Sequence, residues 1–391
     1  MSLHDADVLV VGAGIVGLSA AIAMRQRGYS VMCWDKGTIE IDPLDSDPRV
    51  YAINDASKAC FEVLGVWTAL TRTTPVRGML VWDAMTKASV DFDARMIGAH
   101  HLNHMVESVI MNNALVQKAM DCGVVLCAHH PLLTVTPTED GVWVEGIHGQ
   151  QHVGLLMVAD GARSKTRGLL GVQSTEWSYH QESIVALIQT EKPHQSIARQ
   201  VFTNGGVLAL LPMMDDHLCS MVWSTTQEQF NVVQSMSDDV FGKHLTQTFE
   251  ARLGESRLMS SRQSFPLMMR HVHAYAGTRW LLLGDAAHTI HPLAGLGLNT
   301  GLADLMTWLD LMDTKPGLLF STSMLGAYQR RRKAAMWNII AMMEVLKAGF
   351  TNTNPSLMAL RALGMRGCNQ WPWIKRWLIQ QASGLSIKEY Y

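Results

Sequence analysis

No stretch of this 391-residue chain approaches the roughly 20 consecutive apolar residues that a membrane-spanning helix needs. The early run from Ile15 to Met24 is short and interrupted by glycine. Charge of one sign is also missing: 32 Lys and Arg stand against 34 Asp and Glu, so no global field draws the chain to nucleic acid or anionic lipid. The opening residues Met1-Ser2-Leu3-His4-Asp5 lack the basic region and cleavage site of a secretory signal, which makes a cytoplasmic protein the expectation. The six cysteines form no Cys-x-x-Cys pair and read as small buried apolar residues. The histidine groups His100/His101/His104, His129/His130 and His271/His273 have no cysteine or carboxylate at the spacing of a zinc site, so no metal is expected. There is no internal repeat and no low-complexity linker. What is abundant is apolar: 48% hydrophobic residues with 25 Met and 12 Trp, a composition that hints at greasy surfaces.

The length suits two domains, or one large domain with insertions. Val8 to Val11 is a continuous aliphatic run, as a strand buried on both faces should be. Glycines follow, then a helical stretch from Ile15 to Arg27 closed by Gly28, then a second strand from Ser30 to Trp34 ending at Asp35. This is a βαβ unit with glycines at its first turn. From Gly78 to Phe92 the pattern alternates, predicting inserted antiparallel strands. Helical periodicity covers Met105 to Met120; Val124–Cys127, Leu132–Pro137, Val142–Gly146 and Leu155–Val158 then read as a meander. Strands are predicted at 183–188, 206–211 and 218–223, with one long helix over Met236 to Leu253 covering their sheet. Trp280 to Leu283 is a buried strand, and helix follows to the end, interrupted only at Asn352 to Ser356.

Three separated motifs carry the chemistry. In Gly12-Ala13-Gly14-Ile15-Val16-Gly17, Gly12 permits a tight turn, Gly14 lets backbone approach a pyrophosphate, and Gly17 lets helix pack on strand. The helix N-terminus then offers its free amides to phosphate. Asp35, with Lys36 beside it, lies 23 residues past Gly12, where a carboxylate can accept both hydroxyls of a ribose. An acid there favours a 2′-hydroxyl, hence FAD or NAD over NADP. The late motif, Gly284-Asp285-Ala286-Ala287-His288, decides between these two. It places a carboxylate at the end of a strand, suited to a ribityl chain that NAD lacks. Pro292, Gly295, Leu296, Gly297, Leu298 and Asn299 follow as a glycine-lined turn into a helix, whose amides could meet the flavin pyrimidine edge. Between them stands Ala159-Asp160-Gly161 with Arg163 and Ser164.

In this order and spacing the motifs resemble the class A FAD-dependent aromatic monooxygenases. More narrowly, Asp47 to Ile53, Leu64-Gly65-Val66-Trp67, Met105-Val106-Glu107, Phe265-Pro266-Leu267 and Gly284 to Asn299 resemble the ubiquinone-biosynthesis hydroxylases, with Phe350, Arg361 and Gly384 extending the likeness into the tail. The implied fold is α/β with α+β insertions. It comprises a Rossmann-like FAD-binding domain of the para-hydroxybenzoate hydroxylase type (1–75, 97–178 and 275–330), an antiparallel-sheet substrate domain (76–96 and 179–274) and a helical C-terminal region (331–391). The resemblance implies Asp160, Gly161 and Arg163 near the FAD pyrophosphate, Arg49 on the pyrophosphate and Asp285 on the ribityl chain. Read by themselves, Arg49, Arg163 and Arg167 could equally make surface salt bridges. The family's Gly-Gln-Gly is Gly295-Leu296-Gly297 here, a change a backbone contact would survive.

The implied reaction is ring hydroxylation of a polyprenyl phenol or benzoquinol with O2 and two electrons, from NAD(P)H or another donor, through a flavin C4a-hydroperoxide. The oxygen chemistry is the cofactor's, so no catalytic triad is expected. His288, His291 and Pro292 are candidates for the wall beside the flavin, as is Trp223, for which packing is the simpler role. A polyprenyl tail must be drawn from a membrane. Met336 to Phe350 and Leu357 to Leu378, with Trp371, Trp373 and Trp377 beside Lys375 and Arg376, read either as interfacial helices or as buried helical core. Arg330-Arg331-Arg332-Lys333 reads as a solvated helix face, with lipid headgroups as the alternative. Expected partners are the apolar phenol, a peripheral membrane surface, other ubiquinone-biosynthesis proteins or a second copy in a homo-oligomer, and no nucleic acid. Two other readings stay open: a flavin hydroxylase of a different phenol, and a largely non-catalytic subunit of a biosynthetic assembly, with Leu296 as its hint.

Overall fold

Aliphatic residues with no solvent contact open the fold: Val8, Leu9 and Val10 are fully buried in a central strand, which explains why that run does not alternate. The computed structural model describes residues 4–42, 49–290, 295–315, 320–351 and 354–382. The first part runs β1 (Ala6–Val11), α1 (Ile15–Gln26), β2 (Val31–Trp34), β3 (Val50–Ile53), α2 (Asp55–Val63), β4 (Thr73–Val76), β5 (Gly78–Asp83), β6 (Ser89–Asp93), β7 (Asn103–Glu107), α3 (Ser108–Asp121) and β8 (Val125–Cys127). Then come β9 (Thr134–Pro137), β10 (Val142–Gly146), β11 (Gly149–Val158), α4 (Lys165–Leu169), β12 (Ser174–Thr190), β13 (Ile197–Thr203), β14 (Gly206–Pro212), β15 (Leu218–Thr226), α5 (Gln227–Ser235) and α6 (Asp238–Thr248). The last part is β16 (Ser256–Leu258), β17 (Gln263–Val272), β18 (Ala276–Gly277), β19 (Trp280–Leu282), β20 (His288–Thr289), α7 (Leu296–Thr314), α8 (Thr322–Thr351), α9 (Pro355–Gln370) and α10 (Pro372–Ala382).

Strands β19, β11, β1, β2 and β8 lie side by side and all parallel. Their carboxyl ends therefore share one edge, where open α/β sheets bind ligands. Only β9, β10 and β11 form the predicted meander; Val125–Cys127 instead joins the sheet beside β2, delivered there by the α3 crossover. Met105 to Glu107 is strand, paired with β3 and β4, and helix starts at Ser108.

The second sheet, β20-β17-β12-β15-β14-β13-β5-β6, is mostly antiparallel. Strand β14 alternates strictly: Leu208 and Leu210 are buried while Val207, Ala209 and Leu211 are half-buried. The buried face packs with Trp82, Ile184, Met221 and Trp223 against Phe241 and Leu245 of α6. Trp223 is thus core packing. The predicted long helix over Met236 to Leu253 is shorter: α6 spans Asp238–Thr248, and a separate helix, α5, precedes the predicted range at Gln227–Ser235. Met236 is extended, and Ser237 with Asp238 and Asp239 supplies a start signal that the apolar period masked.

The C-terminal helices dock on the β5–β6 end of this sheet. Arg361 reaches Asp83 at 2.7 Å, Lys375 reaches Asp91 at 3.0 Å, and Met365 packs on Ala88 and Val90. Helix α8 runs unbroken past residue 330. Among the described residues no helix is long and apolar enough to cross a membrane.

Candidate active site

The three glycine-bearing motifs meet at the shared carboxyl edge of β1, β11 and β19. Gly12 (φ +106°) abuts the mid-chain turn so closely that a Cβ there would lie 2.3 Å from the Ala159 carbonyl oxygen. A Cβ on Gly17 would lie 1.9 Å from the Gly12 oxygen, so these two glycines serve chain packing. Gly14, Gly161 and Gly297 differ: among the described residues nothing lies within 4 Å of a Cβ built on any of them. One glycine from each motif region thus faces open space. Helices α1 and α7 begin at Gly14 and Gly295 with no side-chain cap, leaving first-turn amides available to a ligand.

Asp35 closes the first turn, its carboxylate accepting from the Ala13 amide at 2.7 Å and the Gly37 amide at 2.7 Å. Lys36 is exposed beside it. At the mid-chain turn, Oδ2 of Asp160 accepts from the amide and hydroxyl of Thr166 at 3.2 and 2.9 Å, while its buried Oδ1 has no partner. Arg163 is exposed. Arg167 is buried, donating to the carbonyls of Ala286 at 3.0 Å and Ala162 at 3.2 Å. It therefore fastens the mid-chain turn to the late one, and is not a surface ion pair.

The late motif bridges the two sheets, since β19 belongs to the first and β20 to the second. Within Gly284 to His288 only Asp285 is exposed; its four companions are buried. The protein that surrounds Asp285 on its other sides raises its carboxyl pKa, as enclosure beside a cleft should. Below it, the fully buried Asp304 accepts from the Gly284 amide at 2.8 Å, from His288 Nε2 at 2.8 Å and from Arg332 Nε at 2.5 Å. His288 is only 1% exposed and turned to Asp304, which corrects its expected place on the flavin wall: it frames the turn from beneath. His291 and Pro292 lie outside the described residues. Asn299 is likewise committed, donating to the carbonyls of Ala52 at 2.7 Å and Gly295 at 3.0 Å and accepting from the Asn54 amide at 3.2 Å. It pins the start of α7, with Leu296 and Leu298 half-buried, to the segment that begins at the exposed Arg49. At the end of the half-open face of β14, Leu211 packs in the same cluster as Ala52.

Open glycines, uncapped helix starts, an orphaned buried carboxylate oxygen and one outward acid make a cradle suited to an extended dinucleotide. Residues 5–342 match the FAD binding domain family. The chain belongs to that family.

This flavoprotein binds FAD and is a monooxygenase of the aromatic hydroxylase class. It is 31% identical to the 3-demethoxyubiquinol 3-hydroxylase of Escherichia coli (strain K12), over 98% of this chain and 100% of that one. It is 28% identical to the mitochondrial ubiquinone biosynthesis monooxygenase COQ6 of Xenopus tropicalis, over 96% and 93%. Among solved structures, p-nitrophenol 4-monooxygenase PnpA of Pseudomonas putida DLL-E4 superposes with a TM-score of 0.79 at 18% identity, covering 96% of each chain. The fold is that of the para-hydroxybenzoate hydroxylase type. Asp304 is not marked by any motif, and Arg167 and Arg332, expected as surface cations, are buried on the Ala286 carbonyl and on Asp304. For Asp304 a signal existed: it is a lone acid in the otherwise apolar run Gly301-Leu302-Ala303-Asp304-Leu305-Met306.

Proposed function

We propose that this flavoprotein hydroxylates the aromatic ring of a polyprenyl phenol in ubiquinone biosynthesis. The observation that carries this reading is the full-length match to a hydroxylase of 3-demethoxyubiquinol. Val207, Ala209 and Leu211 support it, as a half-open apolar face of β14 whose Leu211 shares a cluster with Ala52. FAD, when bound and reduced, supplies the activation of O2; NAD(P)H or another donor reduces it. The remaining work belongs to the protein. Gly14, Gly161 and Arg49 line the path of the pyrophosphate, with Arg163 beside it. Asp35 and Lys36 take the adenosine ribose, Asp285 the ribityl chain, and the amides of Gly295 to Asn299 the pyrimidine edge. The apolar face of β14 orients the ring and keeps water from the reaction.

The exposed Trp371, Trp373 and Trp377, with Leu360 and Leu363, support peripheral contact with the membrane that holds such a substrate. They are not core, although Lys375 beneath them is buried. Arg332 and Lys333 are not headgroup ligands in this reading, being spent on Asp304 and on the His273 carbonyl at 2.9 Å.

Deleting the gene in its host and extracting the quinones tests the reading. The expected result is loss of ubiquinone with an accumulated precursor lacking one ring oxygen, restored by the wild-type gene and not by Asp285→Ala. An unchanged quinone pool, in a strain without a second hydroxylase for the step, would contradict it.

A further inference from the structure

Away from the cradle, at the corner where α10 meets the second sheet, lies a cavity of about 590 Å³. Arg77, Arg199, Leu80, Phe92, Asp91 and Asp93 are among its lining residues. Arg199 is nine-tenths buried (9% exposed), yet among the described residues no carboxylate meets it. Its Nη1 donates to the carbonyls of His194 at 2.7 Å and Ile197 at 3.1 Å, while Nε and Nη2 have no acceptor among the described residues. Burial works against that charge and lowers its pKa from the usual arginine value. A buried guanidinium without a counter-ion is costly, and an anion in the cavity would remove the cost.

The turn that holds Arg199 is built with care. His194 is buried and receives the Ser196 amide on Nδ1 at 3.0 Å, with Nε2 3.0 Å from the carbonyls of Met213 and Asp215. Gln195 and Ser196 are both left-handed (φ +59° and +57°), a strained arrangement for two residues that are not glycine. The acids of the cavity do not neutralise it: Asp91 is matched by Lys375 at 3.0 Å and Asp93 by Arg95 at 2.5 Å. That leaves Arg77, which is exposed, and Arg199 without a carboxylate partner among the described residues, over an apolar floor.

We propose that this cavity binds a phosphate group, with Arg199 as its fixed ligand and Arg77 as its mobile one. The phosphate could belong to a lipid headgroup or be free. Helix α10 packs on the turn Ala94–Ile97 that carries Arg95, and its outer side bears Trp373 and Trp377, 70% and 55% exposed. A headgroup could therefore occupy the cavity while the indoles meet the surrounding lipid. The site stands apart from the substrate reading and does not need it.

The test uses FAD-loaded full-length protein, so that retained flavin reports an intact fold. The unfolding midpoint is followed against inorganic phosphate and against chloride at equal ionic strength, and vesicle flotation compares phosphatidylglycerol with phosphatidylcholine. The proposal expects a saturable rise of the midpoint with phosphate only. It expects Arg199→Gln and Arg77→Gln each to weaken that response at least about tenfold, the worth of one charge-assisted hydrogen bond. Arg77 is exposed, so its variant tests the site even if Arg199→Gln fails to fold. If the same variants also lose phosphatidylglycerol flotation, and phosphate competes, the source is the headgroup. If flotation is unchanged in them while the phosphate response is lost, the ligand is free phosphate. Trp373→Ala with Trp377→Ala should reduce flotation without touching the phosphate response, which separates this site from the membrane reading. Equal midpoints in phosphate and chloride, together with wild-type flotation by Arg77→Gln, would overturn the proposal.

Discussion

Individual glycines divide into two kinds at this site, and the division makes sharp predictions. Gly12→Ala must push a methyl into the Ala159 carbonyl from a left-handed backbone, and should cost at least about 1–3 kcal/mol of stability even without cofactor. Gly14→Val should leave apoprotein stability within about 0.5 kcal/mol, since nothing surrounds its Cβ, but should weaken FAD binding. Denaturant melts of apoprotein with FAD titration check both. Asp285→Ala should likewise weaken FAD binding by at least about tenfold while the fold persists. Asp304→Ala strands Arg332 and His288 without their shared acid, and a loss of about 3–5 kcal/mol is expected in the same melts. The glycines and Asp285 were legible in sequence because a tight turn or a close approach admits few residue types. The Asp304–Arg332 pair was not, because its partners sit 28 residues apart on different helices and no local pattern joins them.

At the scale of elements, period and composition found the strands well and the borders less well. The βαβ unit, the β5–β6 hairpin and the strands of the second sheet follow from apolar runs and alternation. Met105 to Glu107 failed because its apolar residues fit either period, and pairing with two neighbouring strands decided the outcome. The tail shows the reverse case. Its amphipathic helices were legible, but whether tryptophans or cations faced inward depended on Asp83 and Asp91, more than 280 residues earlier for Lys375. Arg361→Ala leaves Asp83, 1% exposed, without its cation. Hydrogen exchange in α9 and α10 should then quicken while the β1, β2 and β11 amides keep their protection.

The whole molecule depends on pH through groups that join its parts. His271 is buried against Tyr275 and Trp337, and burial holds its pKa down to about 4. Between an unfolded value near 6.5 and that folded value the unfolded chain binds the extra proton, so stability falls as pH drops through this window. Glu176, held by Arg270 to about 2 from 4.5, extends the loss at lower pH. Urea melts across pH 7 to 4 should show the decline, and His271→Asn should lessen it, with His104, which burial also holds down to about 4, supplying part of the remainder.

The late motif joins the two sheets, and the function proposed for them is insertion of one oxygen atom into an aromatic ring. Incubating the FAD-loaded protein with an electron donor, a short-tailed 3-demethoxyubiquinol and 18O2, then weighing the product by mass spectrometry, tests this most directly. One 18O atom per product is expected, lost in Asp285→Ala. Product without 18O, or substrate returned unchanged while the donor is oxidised and O2 is reduced to hydrogen peroxide, would contradict it.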